Sequence, residues 1–271
     1  MKQCRDLKVA AVEYPAADHV LLKLESTDSP LPAIRAGQFV EVKVEGSPHT
    51  FLRRPISVNY VDTDNRQLWL LIHAVGEGTR RLMQLVPGDM LNVLMPLGNG
   101  FSTPTPGESV LLVGGGVGTA PLLEYGHQLL QAGATPIFLL GGRTADSILQ
   151  LHEFEAMGQV FVTTEDGSMG ARGFVTDSPL LAHIVDESST AGDCRPAKAN
   201  LRISTCGPTP MMRAVARWAS SHGIECEVSL ENMMACGLGA CLCCVEPTVR
   251  GHVCICTEGP VFNIKDLTWQ I

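Results

Sequence analysis

Cys236, Cys241 and Cys244 stand at the spacing C-x4-C-x2-C, and two further thiols, Cys254 and Cys256, follow shortly after. Three thiolates so spaced, with a fourth later in the chain, are how plant-type proteins hold a [2Fe-2S] cluster, so the pattern points to one-electron transfer. The glycines of Cys236-Gly237-Leu238-Gly239-Ala240-Cys241 suit that use. A loop around an inorganic core must bring its backbone close and turn N–H groups towards sulfur, and glycine permits this at least steric cost. Cys243 neighbours Cys244 and diverges from it in direction, which makes it a small packing residue rather than a ligand. Two thiols compete for the fourth place. Cys254 and Cys256 share the strand-like stretch His252-Val253-Cys254-Ile255-Cys256, where period-2 alternation puts both side chains on one face.

Structural zinc and disulfides are the other uses of clustered cysteines. Zinc favours paired C-x2-C steps, but a second such pair at a comparable interval is missing, and a glycine-lined x4 step suits the cluster better. Disulfides need an oxidising compartment. Residues 1–20 lack the basic, apolar and small-residue succession of a signal peptide, and no apolar run approaches membrane-spanning length. The expectation is a cytoplasmic protein with reduced thiols and no membrane partner. A formal charge of -8 argues against a nucleic-acid partner, and 271 residues accommodate two domains and a small appendage.

The elements that must carry this chemistry change character along the chain. Residues 1–100 hold short alternating or β-branched runs, such as Val20-Leu21-Leu22-Lys23-Leu24, Phe39–Val44 and Leu68–Val75, with Pro87-Gly88-Asp89 as a turn before Met90-Leu91-Asn92-Val93. Strands at this spacing predict a closed barrel. From about residue 107 the pattern becomes strand, glycine loop, helix, strand: Ser109–Val113, then a helix from Ala120 to Gln131, then Thr135–Leu140. It continues through Gln159–Thr164, Leu201–Cys206 with a helix over Thr209–His222, and Glu225–Leu230. That alternation predicts a parallel sheet with crossover helices.

Three loops on these elements have the composition of phosphate or heterocycle contacts. Gly114-Gly115-Gly116-Val117-Gly118-Thr119-Ala120-Pro121 follows a buried strand and opens a helix, so bare N–H groups and a positive helix end could meet a pyrophosphate. It departs from G-x-G-x-x-G in lacking the last glycine, and a tight structural turn is the plainer use. Arg53-Arg54-Pro55-Ile56-Ser57-Val58 offers arginine for a diphosphate and a hydroxyl with extended backbone for a flat heterocycle, or else an exposed basic turn. Val75-Gly76-Glu77-Gly78-Thr79-Arg80 places glycines and a hydroxyl at a strand end, again open to phosphate or to a plain turn.

In this order the pieces resemble the ferredoxin reductase family of flavoproteins. Arg54-Pro55-Ile56-Ser57 is similar to that family's R-x-[YF]-[ST] flavin motif, with Ile56 in place of the aromatic, and Cys206-Gly207-Pro208 to its C-G-P motif beside nicotinamide. The tail Glu231–Cys241, closing with Cys256-Thr257-Glu258-Gly259-Pro260-Val261-Phe262, narrows the resemblance to the electron transfer subunits of dihydroorotate dehydrogenase type B. The likeness spans nearly the whole chain. It implies a β plus α/β architecture: a six-stranded antiparallel FAD-binding β-barrel over 1–101, a parallel-sheet α/β NAD-binding domain over 102–230 and a small cysteine-rich [2Fe-2S] domain over 231–271.

The resemblance also implies roles. Arg54, Pro55, Ile56 and Ser57 would contact FAD, with Arg54 near the diphosphate and Ser57 near the isoalloxazine; Leu71, Ile72 and His73 would lie along it, and Gly78 with Thr79 would bind its phosphates. Gly114, Gly115, Gly116, Gly118, Thr119 and Pro121 would hold the nucleotide, with Cys206, Gly207 and Pro208 on the nicotinamide side. In these relatives the last ligand opens the acidic-Gly-Pro-Val-Phe stretch, which selects Cys256 over Cys254 and completes the set Cys236, Cys241, Cys244 and Cys256. A sheet histidine at 73 and a small buried residue at 206 are the plainer alternatives for those two positions.

Nicotinamide exchanges an electron pair and a cluster single electrons, so a flavin must stand between them, and no protein acid or base is needed for that transfer. No catalytic residue is therefore assigned. The resemblance implies an FMN-containing partner subunit that oxidises dihydroorotate in pyrimidine biosynthesis, as a heterotetramer of two of each, with electrons passing through the cluster and FAD to NAD+. Alternatives are a subunit of another FAD/[2Fe-2S] complex, such as an NADH-dependent ferredoxin:NADP+ oxidoreductase or a hydrogenase-associated diaphorase, and a non-enzymatic redox sensor. Arg143 and Glu165-Asp166 leave NAD versus NADP open.

Overall fold

The computed structural model describes residues 2–186 and 198–269; residues 1, 187–197 and 270–271, which the sequence-based domain ranges include, lie outside the described residues. The chain divides into two compact units, Met1–Gly100 with Leu230–Val261, and Phe101–Ser229 with Phe262–Ile271. The cysteine-rich segment thus packs with the first unit, and the tail beyond it with the second.

The first unit is an antiparallel sheet in the order β4-β3-β7-β1-β2-β6-β5, formed by β1 (Gln3–Ala16), β2 (His19–Glu25), β3 (Phe39–Val42), β4 (Arg54–Ser57), β5 (Tyr60–Asp62), β6 (Gln67–His73) and β7 (Met90–Leu97). β1 pairs β7 through its first half and β2 through its second, and the register shifts between Val9 and Ala11 and between Glu13 and Ala16 let one strand turn a corner. The edges are formed by a single run that changes partners. β4 pairs β3, β5 pairs β6, and between them Val58 N–H donates to the Gln38 carbonyl (3.1 Å) while Asn59 N–H donates to the Trp69 carbonyl (3.0 Å). Six strands were expected and seven are found, because the run from Arg54 to Asp62 is split at this hand-over, which links the two edges of the sheet. Inside lie Leu7, Val9, Leu22, Leu24, Val40, Val42, Leu68, Leu70, Ile72, Val93 and Met95. Burying each such side chain contributes about 1.5–3 kcal/mol before the entropy of ordering is counted.

A short helix, α1 (Glu77–Leu82), occupies the place where a strand-end turn was expected. In the second unit a sheet runs β11-β10-β9-β8-β12-β13-β16, parallel from β11 to β13, with β8 (Ser109–Gly115), β9 (Ile137–Gly142), β10 (Gln159–Thr164), β11 (Ala171–Arg172), β12 (Leu201–Cys206), β13 (Glu225–Ser229) and, at its edge, the tail strand β16 (Val261–Asn263). Its helices are α2 (Ala120–Gln131), α3 (Leu151–Glu155), α4 (Pro179–Val185) and α5 (Thr209–Ser221). The strands read as apolar runs because both faces are covered: Leu111, Leu112, Val113, Phe138, Leu139 and Ile203 are fully buried. Strand order reverses between β8 and β12, which places a crevice at their carboxyl ends. The cysteine-rich segment adds a hairpin of β14 (Val245–Thr248) and β15 (Gly251–Cys254) and a helical turn, α6 (Ile255–Glu258). No helix among the described residues is long and apolar enough to cross a membrane.

Candidate cluster, flavin and nucleotide sites

The cysteine loop can only fold as it does where glycine supplies left-handed backbone: Gly237 has φ +65° and Gly239 φ +83°, and a Cβ on Gly237 would lie 2.9 Å from Leu97 Cδ1 and 3.0 Å from Glu41 Cγ. The loop thereby rests on the barrel wall at β3 and β7. Its N–H groups turn to sulfur. Leu238 N–H donates to Cys236 Sγ (3.4 Å), Gly239 N–H to Cys256 Sγ (3.2 Å) and Cys256 N–H to Cys244 Sγ (3.4 Å).

These bonds tie the cysteines into one loop: Gly239, which lies between Cys236 and Cys241, donates to Cys256 Sγ, and Cys256 N–H in turn donates to Cys244 Sγ. Two irons bridged by two sulfides need two terminal thiolates each, so this donor set fits a [2Fe-2S] cluster. The thiols feel the arrangement differently: the Leu238 N–H above all, with other donors of the loop, holds Cys236 down at about 6, whereas burial, then the Cys244 sulfur, pushes Cys256 up to about 12. Cys254 and Cys256 do not share a strand face. β15 ends at Cys254 and Cys256 belongs to α6, because Asn99 captures the turn: its N–H donates to the Gly259 carbonyl and its Nδ2 to the carbonyls of Thr257 and Glu258 (both 3.1 Å). Asn99 was missed in the sequence, where an asparagine between two glycines reads only as a turn.

On the other side of β3 lies β4, which holds the flavin motif. Its two arginines part ways. Arg53 is tied down, donating through Nη1 to the carbonyls of Glu41 (3.1 Å) and Asn92 (3.2 Å) and through Nη2 to Asn92 Oδ1. Among the bonds to described residues, Arg54 donates to the local carbonyls of Leu52 (2.9 Å) and Arg53 (3.2 Å), and it lies against Gly78, where a Cβ would come within 2.9 Å of its Nε. The fold therefore joins Arg54 to the Gly78-Thr79 turn, a cradle that bare backbone keeps open for a diphosphate. Ile56 packs against the barrel core and Ile72 lies within it, so both have backbone alone to offer a ligand, while Pro55, Ser57, Leu71 and His73 alternate with them to the outer face. The Thr79 hydroxyl accepts from Gly76 N–H (3.0 Å) and donates to its carbonyl (3.2 Å), which shapes the turn.

His73 has neighbours that no local pattern joins to it. Asp18 bridges His19 Nδ1 (2.7 Å) and His73 Nε2 (3.0 Å), and the two rings stack 4.3 Å apart at 4°. The hydrogen bonds, His73's first, draw the Asp18 carboxyl below its usual value, and burial lowers His19. This trio is the one compact group of possible metal ligands found among the described residues. Ring-nitrogen lone pairs lie in the ring planes, and parallel planes never meet at one ion, so the arrangement is a carboxylate-bridged imidazole pair.

In the second unit β8 ends at Gly115, and Gly116–Thr119 forms a tight turn into α2, with Pro121 in its first turn. Gly118 packs on the Cys206-Gly207-Pro208 stretch so closely that a Cβ would lie 2.4 Å from Gly207 Cα, and one on Gly115 would lie 2.6 Å from Met211 Sδ. Gly116, at φ +55°, faces open space. The two motifs are thus one site at the crevice between β8 and β12, where bare N–H groups fit a dinucleotide pyrophosphate. Thr119 is buried, its hydroxyl donating to the Gly116 carbonyl (3.0 Å), and Cys206 is buried beside Gly114.

These sites match known proteins in the same order. A family model described as the iron-sulfur cluster binding domain of dihydroorotate dehydrogenase B matches residues 231–268, and an oxidoreductase NAD-binding domain matches 112–217. The electron transfer subunit of dihydroorotate dehydrogenase B (NAD(+)) from Bacillus pumilus (strain SAFR-032) is 35% identical over 259 residues, 93% of either chain. The chain belongs to that family. The subunit of the same description from Bacillus caldolyticus is 38% identical over 236 residues, covering 85% of this chain and 86% of its own. Among solved structures, that of an NADH-dependent reduced ferredoxin-NADP oxidoreductase superposes with a TM-score of 0.83 at 29% identity, over 97% of this chain and 90% of its own. A ferredoxin reductase of carbazole 1,9a-dioxygenase, at 21% identity and TM-score 0.67 over 82% of this chain and 67% of its own, shares the fold. The barrel, the parallel sheet and the cysteine segment are those of a family of oxidoreductase subunits that use flavin, NAD and an iron-sulfur cluster.

Proposed function

We propose that this chain is the subunit that carries electrons from a partner oxidising dihydroorotate to NAD+. The observation that carries the reading is the loop of Cys236, Cys241, Cys244 and Cys256, whose N–H groups reach the sulfurs of Cys236, Cys244 and Cys256 and which is seated on β3, the strand beside the flavin motif of β4. When bound, the flavin trades an electron pair with nicotinamide and single electrons with the cluster.

The chain's own residues bind and order these groups. Cys236, Cys241, Cys244 and Cys256 hold the cluster, and the N–H groups of Leu238, Gly239 and Cys256 offset negative charge on its thiolates. Arg54 and the turn at Gly78-Thr79 take the FAD diphosphate, Pro55, Ser57, Leu71 and His73 face its rings, and Ile56 and Ile72 contribute backbone. Gly114, Gly115, Gly116, Gly118, Thr119 and Pro121 hold the NAD pyrophosphate, with Cys206, Gly207 and Pro208 towards the nicotinamide. Domain limits near 101 and 230, a cytoplasmic location and assembly as two copies of each subunit belong to the same reading.

The FMN-bearing partner supplies the dihydroorotate site, so the purified chain should contain one FAD, two irons and two sulfides, show a [2Fe-2S] signal by electron paramagnetic resonance after reduction, and oxidise NADH with artificial acceptors. Dihydroorotate oxidation by the chain alone would sink the reading, and zinc without sulfide would remove the cluster. The likeness to the ferredoxin-NADP oxidoreductase favours one rival, an NADH:ferredoxin complex. Co-purification with a ferredoxin-reducing subunit, and no response to dihydroorotate when the FMN partner is added, would select it.

A further inference from the structure

The carboxylate-bridged histidines at the end of β6 are arranged to hold one proton. Asp18, in the turn between β1 and β2, is fixed to β6 by backbone and side chain together. Its carbonyl accepts from Ala74 N–H (2.8 Å), and its carboxylate reaches His73 Nε2 (3.0 Å) as well as His19 Nδ1 (2.7 Å). A carboxylate only accepts, so both of these ring nitrogens carry hydrogen. In His73 that leaves Nδ1 as the atom at which a proton is gained or lost. The rings stack 4.3 Å apart, a separation at which two imidazolium charges repel, so the pair takes up one proton rather than two. That proton belongs on His73. Its side chain is 36% exposed against 13% for His19, and burial, above all, holds His19 below the ordinary histidine value. Glu231 also bears on His73 through its charge.

A hydride is two electrons and one proton. A cluster delivers electrons singly and without hydrogen, so each hydride passed to NAD+ must draw its proton from elsewhere. The electron steps need no acid, but this proton needs a donor. Resting on the electron-transfer reading above, in which His73 faces the flavin, we propose that His73, positioned by Asp18, is the acid that gives the flavin this proton and the base that takes it back in the reverse direction. The N–H bond at His73 Nδ1 breaks as a bond to hydrogen forms on the flavin, and two electrons arrive from the cluster. That hydrogen then leaves with the electron pair to form the new C–H bond of NADH, and His73 Nδ1 regains a proton from water at the exposed edge of the ring. One NAD+, two electrons and one proton become one NADH, so atoms and charge balance.

The test runs the cofactor-loaded full chain in two reactions. Reduced methyl viologen gives single electrons without hydrogen, so its reduction of NAD+ consumes one proton per NADH, whereas hydride exchange between NADH and thio-NAD+ consumes none. His73→Gln should lower the viologen-linked rate about 100-fold and abolish its fall at alkaline pH, and this loss should exceed any loss in hydride exchange at least about tenfold. Asp18→Asn should give an intermediate, equally selective loss, and His19→Phe, which keeps a stacked ring, should retain the pH profile. In the flavin-free chain, nitrogen-15 NMR should show neutral His73 protonated at Nε2, and a mixture of both tautomers in Asp18→Asn. Equal loss in both reactions would make His73 a packing residue, and no loss would leave the proton to solvent; either overturns the proposal while the electron-transfer reading stands. A wild-type chain that performs neither reaction overturns that reading too. Should His73→Gln not hold FAD, Asp18→Asn decides the matter: a selective loss of the viologen-linked rate supports the proposal, and an unchanged ratio of the two rates refutes it.

Discussion

Arg53 and Arg54 are adjacent and chemically identical, and the sequence alone assigns the flavin role to Arg54 only through the family motif. The fold separates them by hydrogen bonding: three contacts lock Arg53 across β3 and β7, while Arg54 spends its donors on two carbonyls beside it. Replacing Arg54 with Gln should weaken FAD binding about 10- to 100-fold, the loss of one charge-assisted contact of 1.5–3 kcal/mol, with little change in the melting temperature of the flavin-free chain. Arg53→Gln should do the opposite, lowering the melting temperature with a smaller effect on flavin titrations monitored by fluorescence. Equal effects on FAD from both variants would refute the distinction. His73 shows where residue-level reading stops. Nothing local joins it to Asp18 and His19, because the pairing of β2 with β6 that sets His19 opposite His73 is a matter of register between strands far apart in the chain.

At the scale of elements, periodicity found the strands and helices that bury a continuous face, and it failed where a tertiary contact takes over a short segment. Cys254 and Cys256 read as alternate residues of one strand, yet Asn99 pulls residues 255–258 into a helical turn. The split of the closing strand at Val58 was likewise invisible, since a change of hydrogen-bonding partner leaves no mark on hydrophobic alternation. β3 holds a less expected charge. Glu41 is fully buried beneath the cysteine loop, and neither carboxylate oxygen has a hydrogen-bond partner among the described residues. Burial raises it to about 7, against the opposing pull of Arg53 and Arg54 and with a further push from Cys236. A carboxyl raised on folding binds its proton more tightly in the native state, so its stabilising contribution is complete below about 4.5 and fades as pH rises through 7. The contribution is on the order of 3 kcal/mol across that window. Glu41→Gln should therefore flatten the fall in stability between pH 5 and 8 seen in urea melts. A wild-type chain as stable at pH 8 as at pH 5, and unaffected by the substitution, would count against a buried acid here.

For the whole molecule, the order of motifs along the chain was enough to anticipate the barrel, the parallel sheet and the cysteine segment, because each is announced by local spacing. The grouping of these pieces was not, since the packing of the segment after residue 229 on the barrel wall depends on contacts with Glu41, Leu97 and Asn99 that no local pattern encodes. Two compact units with different ligands should respond to them separately. In calorimetry of the holo chain, excess FAD should raise the transition of the barrel unit and excess NADH that of the α/β unit, each by about 2.7 kcal/mol at a hundred times its dissociation constant. A single transition shifted equally by both would show that the units unfold as one. The anchorage by Asn99 has a consequence for biogenesis. The cluster ligands leave the ribosome well after the shelf that receives them. Flavin can load before iron arrives, so an iron-starved cell should accumulate yellow, cluster-free chains that mature when iron returns.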